Sequence, residues 1–77
     1  MIIVVEIQAN SDGTAGVLTT SYRDAEKDQA ESKYHTILSY AATSNIYEHT
    51  AFMLQSDGRV LRSECYRHDV VPEPTEE

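Results

Sequence analysis

Two stretches of the chain alternate between apolar and polar positions, and an Asp-Gly pair interrupts each of them. Residues 2–22 contain Asp12-Gly13, and residues 46–68 contain Asp57-Gly58. Asp-Gly between β-rich runs is a strong hairpin signal, because both central residues of a type I′ turn need positive φ. The pattern predicts two β-hairpins, each closed by a two-residue turn.

A two-residue turn also predicts which side chains share a face of the sheet. It places Ile7 opposite Leu18 in the first hairpin. It places Phe52 opposite Ser63 in the second, because a one-residue slip would mix charged side chains with apolar ones. In this register, the predicted core-facing side chains are Ile3, Val5, Ile7, Leu18, Thr20 and Tyr22, followed by Thr50, Phe52, Leu54, Leu61, Ser63 and Cys65.

A helix is predicted between the hairpins, with Asp24 as its N-cap. Its apolar stripe has helical spacing and consists of Ala30, Tyr34, Ile37, Leu38 and Ala41. The fold class is therefore α+β, a ββαββ arrangement of a four-stranded antiparallel sheet with one helix packed on one face. Strand order 2-1-3-4 places the most apolar strand centrally and gives a right-handed crossover. Residues 1–69 form the predicted domain, and the acidic segment 70–77 is expected to be disordered.

One helix covers only one side of a sheet, and the predicted outer side retains apolar side chains. A contiguous apolar patch on a surface indicates an interaction site. Two-fold dimers are the commonest oligomers, so we expect self-association as a dimer or a higher homo-oligomer. The residues expected to form that interface are Ile2, Val4, Val17, Ala51 and Met53.

Four rings and an arginine are expected at one end of the same outer side. Aromatic rings can stack on a base, and Arg or protonated His can meet a phosphate. This arrangement suggests a nucleotide-sized ligand, although cross-strand ring pairs also stabilise hairpins without any ligand. The candidate ligand-binding residues are Tyr47, His49, Arg62, Tyr66 and His68.

The charge balance narrows the classes of partner and of chemistry. Thirteen acidic against six basic residues give a net charge of −7, which disfavours nucleic-acid duplexes and anionic membranes. Cys65 is the one cysteine, so no internal disulfide forms, and it is expected to be a small core residue. No signal peptide, membrane span, metal-ligand set, cofactor loop or catalytic motif is recognisable, so we expect a non-enzymatic cytoplasmic protein.

The segments MIIVVEIQ, the Asp-Gly turn, AESKYHTIL and SECYRH together resemble a group of short uncharacterised proteins encoded by phages and prophages of gut bacteria. The resemblance spans residues 1–68. It implies a location in the host-cell cytoplasm and a small binding protein that sequesters or blocks a host defence component, such as a nucleotide signal. Two alternatives remain open: an acidic inhibitor of a host nuclease or effector, and a structural or accessory phage protein without a small ligand.

Overall fold

The computed structural model describes residues 1–68, and the segment predicted to be disordered, 70–77, lies outside them. The described chain forms one antiparallel sheet in the order β2-β1-β3-β4 and one helix, in the chain order ββαββ. The predicted α+β class and strand order are therefore confirmed. The elements are β1 (Ile2–Ala9), β2 (Ala15–Tyr22), a 3₁₀ turn (Asp24–Glu26), α1 (Lys27–Thr43), β3 (Glu48–Gln55) and β4 (Val60–Arg67).

Both hairpin loops have three residues, so the prediction of two-residue turns was wrong. The Asn10 N–H donates to the Thr14 carbonyl at 2.8 Å, which encloses residues 11–13. The Asp12 carboxylate accepts the Thr14 backbone N–H at 3.0 Å. This Asx interaction fixes the turn and leaves positive φ (94°) only at Gly13. The second loop, residues 56–58, repeats this arrangement.

Gly58 has a φ of +98°, and a methyl group added there would meet nothing within 4 Å. We expect Gly58→Ala to lower the free energy of unfolding by about 1–2 kcal/mol, because the cost is confined to the left-handed backbone. Gly16→Ala is the matched control, since Gly16 also lies in open space but lacks a positive φ. Urea denaturation measures the free energy of unfolding of both variants. Equal values would contradict a cost that arises from the positive φ of Gly58.

The extra loop residue changes which side chains of β2 share a face with those of β1. Ile7 lies opposite Val17, and Leu18 lies opposite Glu6, instead of the predicted Ile7–Leu18 pair. A shift of one residue sends each side chain of one strand to the other face. Leu18 therefore shares a face with Val4, and this is the side of the sheet that the helix covers.

The second hairpin recovers the predicted pairing through a β-bulge. Next to the loop, Leu54 pairs with Val60, and the register shifts between Met53 and Leu54. Beyond that point Phe52 lies opposite Ser63, as predicted. Leu61 is the additional residue on the bulged strand, and it packs against the hydrophobic core.

The helix lies on the opposite side of the sheet from the predicted one. The predicted helical stripe is confirmed, with Leu38 half-buried and its other four members buried. Beneath it lie four of the five residues that we expected on an outer self-association face, so that face assignment was wrong. Only Val17, 59% exposed, remains outside. The four that are buried to 1% exposure or less are Ile2, Val4, Ala51 and Met53.

The start of the helical segment also differs from the prediction. Arg23, not Asp24, occupies the N-cap position of the 3₁₀ turn that leads into α1. The Glu26 carboxylate accepts the Arg23 backbone N–H at 2.9 Å. Asp24 instead forms an ion pair with the Met1 ammonium at 2.9 Å. The carboxylate that accepts a backbone N–H at the start of the helical segment therefore belongs to Glu26, three residues after the N-cap.

Candidate interaction surface

The side of the sheet opposite the helix carries four rows of side chains that run across all four strands, and one row at the end, Ala15–Ala9–Glu48–Arg67, is charged. We call the surface formed by the other three rows the open face. Its side chains alternate with those beneath the helix, because successive residues of a strand point to opposite faces. The rows are Ser21–Ile3–Leu54–Val60, Thr19–Val5–Phe52–Ser63 and Val17–Ile7–Thr50–Cys65.

The open face is apolar where a solvated sheet face is normally polar. The two central strands contribute Ile3, Val5 and Ile7 on β1 and Phe52 and Leu54 on β3, and each is half-buried by its neighbours. Antiparallel sheets with one solvated side normally alternate to polar residues on that side. The open face keeps seven apolar side chains instead, together with small polar ones.

The open face is also electrically neutral. Its three rows contain no acidic, basic or histidine side chain, although the whole chain carries a net charge of −7. The nearest charges on the same side are Glu48 and Arg67, beyond one end of the rows. Their Oε2 and Nε atoms lie 3.4 Å apart, so these charges compensate each other.

A shallow groove of about 430 Å³ lies on the open face along β3 and β4. Its lining includes the charged Glu64 together with five residues of the open face, Thr50, Phe52, Val60, Ser63 and Cys65. Cys65 is exposed, so its predicted burial in the core was wrong. It was assigned to the core because it shares a face with Phe52, and that face is the one without a helix.

Three of the candidate ligand-binding residues, His49, Tyr66 and Arg62, lie on the helix side of the sheet. His49 lies opposite Tyr66 as predicted, but it is only 2% exposed. Its Nε2 lies 2.6 Å from Glu6 Oε2, and its Nδ1 lies 3.1 Å from Ser44 Oγ. Both ring nitrogens therefore have partners within the protein, and a bound ligand would not reach this side chain.

The remaining members of the predicted ligand site also make internal contacts. His68 Nε2 donates to the Ala41 carbonyl at 2.8 Å, near the C-terminal end of α1. Arg62 forms an ion pair with Glu31 of the helix, with 3.2 Å between Nε and Oε1. The Arg67 guanidinium lies 6.0 Å from the centre of the Tyr47 ring. Two of the residues that we expected to hold a nucleotide, His68 and Arg62, are thus bonded to the helix instead.

Glu6, His49 and Ser44 form a linear hydrogen-bonded chain of carboxylate, imidazole and hydroxyl. Burial raises the pKa of Glu6, but hydrogen bonds from Gln8 and His49 and the nearby charges bring it below its ordinary value. The order of groups is that of a hydrolase triad. Ser44, however, is the C-cap of α1, and its Oγ lies 3.4 Å from the Ala41 carbonyl.

Acyl transfer needs hydrogen-bond donors aimed at the developing oxyanion. A helix C-terminus presents carbonyl oxygens and the negative end of the dipole instead. The geometry therefore favours a structural role in which the chain ties the end of α1 to β1 and β3. Sequence reasoning missed Glu6 and Ser44 as partners of His49. The register Gln8–His49 would have placed Glu6 beside it.

Comparison with protein-family models, curated proteins and solved structures gave no match. Within residues 1–68, no three side chains of the histidine, cysteine, aspartate and glutamate types are grouped to hold a metal ion. The helix of the described chain is not long and apolar enough to cross a bilayer.

Proposed function

We propose that the protein is a non-enzymatic binding protein that self-associates through its open face. The observation that carries this proposal is the apolar, uncharged surface that α1 leaves uncovered. Two copies stacked through this surface would bury seven apolar side chains from each chain. Burial of apolar area is the main favourable term in most protein association.

Charge makes a second copy the best occupant of the open face. A strongly charged partner would find no countercharge on the three rows, and burying its charges unpaired would be costly. Two open faces are both apolar and both neutral, so they match each other. The acidic side chains of residues 1–68 lie outside the three rows, which keeps their mutual repulsion away from the contact.

The size of the sheet sets the expected strength of this association. Four strands of eight residues cover about 20 Å by 25 Å, and the open face is three of the four rows, which gives about 750 Å² for two copies. This area lies below the lower limit of about 1,000 Å² for specific interfaces and is typical of weak contacts. We therefore expect a dissociation constant on the order of 10 μM, and not a permanent dimer.

Val5→Lys tests the proposal, because Val5 occupies the central row of the open face. We expect the dissociation constant to rise by at least about tenfold, since a lysine would be buried between the two sheets without a partner. Sedimentation equilibrium measures the change, and circular dichroism confirms that the variant is folded. Ser39→Lys on the exposed side of α1 adds the same charge away from the surface.

Two results would reject self-association through the open face. The first is a wild-type protein that remains monomeric at concentrations of about 100 μM, well above the expected dissociation constant. The second is an identical change in Val5→Lys and Ser39→Lys, which would show that added charge alone is responsible.

We further propose that the assembled protein acts by sequestering or blocking another protein. An assembly of two chains doubles the net charge of −7. A basic surface is then the chemically favoured target. The complex should be captured from a host lysate at low salt and released at high salt, because salt screens exposed charges. Recovery of no specific protein at low salt would count against this role.

A further inference from the structure

The two edges of the sheet are protected to very different degrees. β4 carries Arg62, Glu64 and Arg67 and is interrupted by a bulge. β2, with the sequence AGVLTTSY, contains no charged residue, no proline and no bulge over eight residues. Native proteins normally block an exposed edge with such devices, because its backbone is a template for another strand. The unprotected edge of β2 is therefore a candidate pairing surface.

The first hairpin loop fixes which backbone groups of β2 point outward. The Asn10 N–H bonds to the Thr14 carbonyl, so Thr14 directs its backbone groups toward β1. In an antiparallel ladder this direction alternates at each residue. The even-numbered residues of β2 consequently bond β1, and the N–H and C=O groups directed away from the sheet belong to Ala15, Val17, Thr19 and Ser21.

We propose that two copies of the chain pair through β2 in an antiparallel, two-fold arrangement centred on Leu18. Only this register pairs all the outward groups at once, with Ala15 opposite Ser21 and Val17 opposite Thr19 of the second copy. Registers centred on Val17 or Thr19 leave part of this set unpaired. The full register supplies about eight backbone hydrogen bonds and joins two sheets into one of eight strands.

The exposure of Leu18 supports this centre. Leu18 shares the helix-side face with Thr20 and Glu6, yet it is 59% exposed, because β2 is an edge strand. In the proposed pair it would lie directly opposite Leu18 of the second copy at a non-hydrogen-bonded position, where opposed Cβ atoms are about 4.5–5.5 Å apart. Each leucine would then cover the other. β2 carries no charged side chain that would repel the second copy.

This contact is independent of the open face. Edge pairing extends the sheet within its own plane, whereas the proposed function stacks sheets face to face. The second copy at the edge leaves the rows containing Val5 and Phe52 accessible. The two associations can therefore coexist, and each can fail without the other.

Disulfide trapping tests the register directly. In a Cys65→Ser background, Leu18→Cys should form a covalent dimer under mild oxidation, read on a non-reducing gel and by mass spectrometry. Opposed Cα atoms at such a position are about 4.5 Å apart, within the range of a disulfide. Thr20→Cys is the matched control, because two copies of residue 20 would be offset by about 13 Å. We expect at least about tenfold more dimer from Leu18→Cys.

Thr19→Pro provides a second test of the same contact. It removes an outward N–H while leaving the bonds of β2 to β1 intact, so an edge strand should tolerate it. Combined with Leu18→Cys, it should reduce covalent dimer by at least about tenfold. Equal trapping of Leu18→Cys and Thr20→Cys, no trapping of either, or trapping unaffected by Thr19→Pro in a folded protein would overturn the inference. Val5→Lys should leave trapping unchanged, which separates this outcome from that of the open face.

Discussion

Met53→Glu should unfold the protein. Met53 is 1% exposed and lies opposite Val4 in the core between the sheet and α1. The cross-strand neighbour Arg62 is already paired with Glu31, so a carboxylate there would be buried at a cost of several kcal/mol. A domain of 77 residues has a total stability of roughly 4–12 kcal/mol, so one such change removes much or all of it. Circular dichroism should show loss of the cooperative thermal transition.

Phe52→Glu is the matched control, since Phe52 is adjacent in the chain and points to the open face. Its carboxylate would remain in water, so the helical signal and the cooperative transition should persist. The same variant should weaken self-association, because the charge lies in the proposed contact. The reverse result, with Phe52→Glu unfolded and Met53→Glu folded, would place α1 on the other face of the sheet.

The elements and their order could be predicted because each has a strong local signal. Two Asp-Gly pairs mark the two hairpin loops, and the spacing from Ala30 to Ala41 marks one helical stripe. The right-handed crossover and the apolar character of β1 then give the strand order. These signals depend on neighbouring residues and on chain handedness, so they do not require knowledge of the loop length.

The face that α1 covers could not be predicted from alternation, and neither could the loop length that decides which β2 residues share that face. Asp-Gly suits a two-residue type I′ turn and equally a three-residue loop with glycine in the left-handed position. β1 has apolar residues at both even-numbered and odd-numbered positions, with Ile2 and Val4 on one side and Ile3 and Val5 on the other. Alternation therefore gave no means of correcting the register.

The composition of the open face and the hydrogen-bonded chain of Glu6, His49 and Ser44 both depend on the pairing register of the strands. An apolar face of the sheet does lack a helix, but it carries Phe52 and other side chains assigned to the core, whereas Leu18 and Tyr22 lie on the helix side. Glu6 and His49 are 43 residues apart in the chain and meet only through the β1–β3 pairing. Ser44 joins them because α1 ends above that pairing. Contacts between residues so far apart in the chain can be recognised only when the pairing of the strands is known.

His49→Ala should lower the free energy of unfolding by about 3 kcal/mol. The substitution leaves a cavity beneath α1 and removes one of the two side chains that hydrogen-bond the Glu6 carboxylate, which is only 15% exposed and keeps Gln8 alone. Ser44 Oγ loses its contact with Nδ1 as well. Urea denaturation measures the loss. His35→Ala is the matched control, because His35 lies on the exposed side of α1, and its stability change should be within about 0.5 kcal/mol.

The pH dependence of stability should identify Glu6 as the titrating partner. Its pKa in the folded protein is below the ordinary value of 4.5, so its contribution is complete above that value and declines as the pH falls through the folded pKa. Glu6→Gln keeps an acceptor for His49 but does not titrate. The stability difference between wild type and Glu6→Gln should therefore shrink as the pH falls from about 7 to about 3. A difference that stayed constant over this range would mean that the Glu6 carboxylate contributes through shape and packing alone, because a charge-assisted hydrogen bond requires the ionised form.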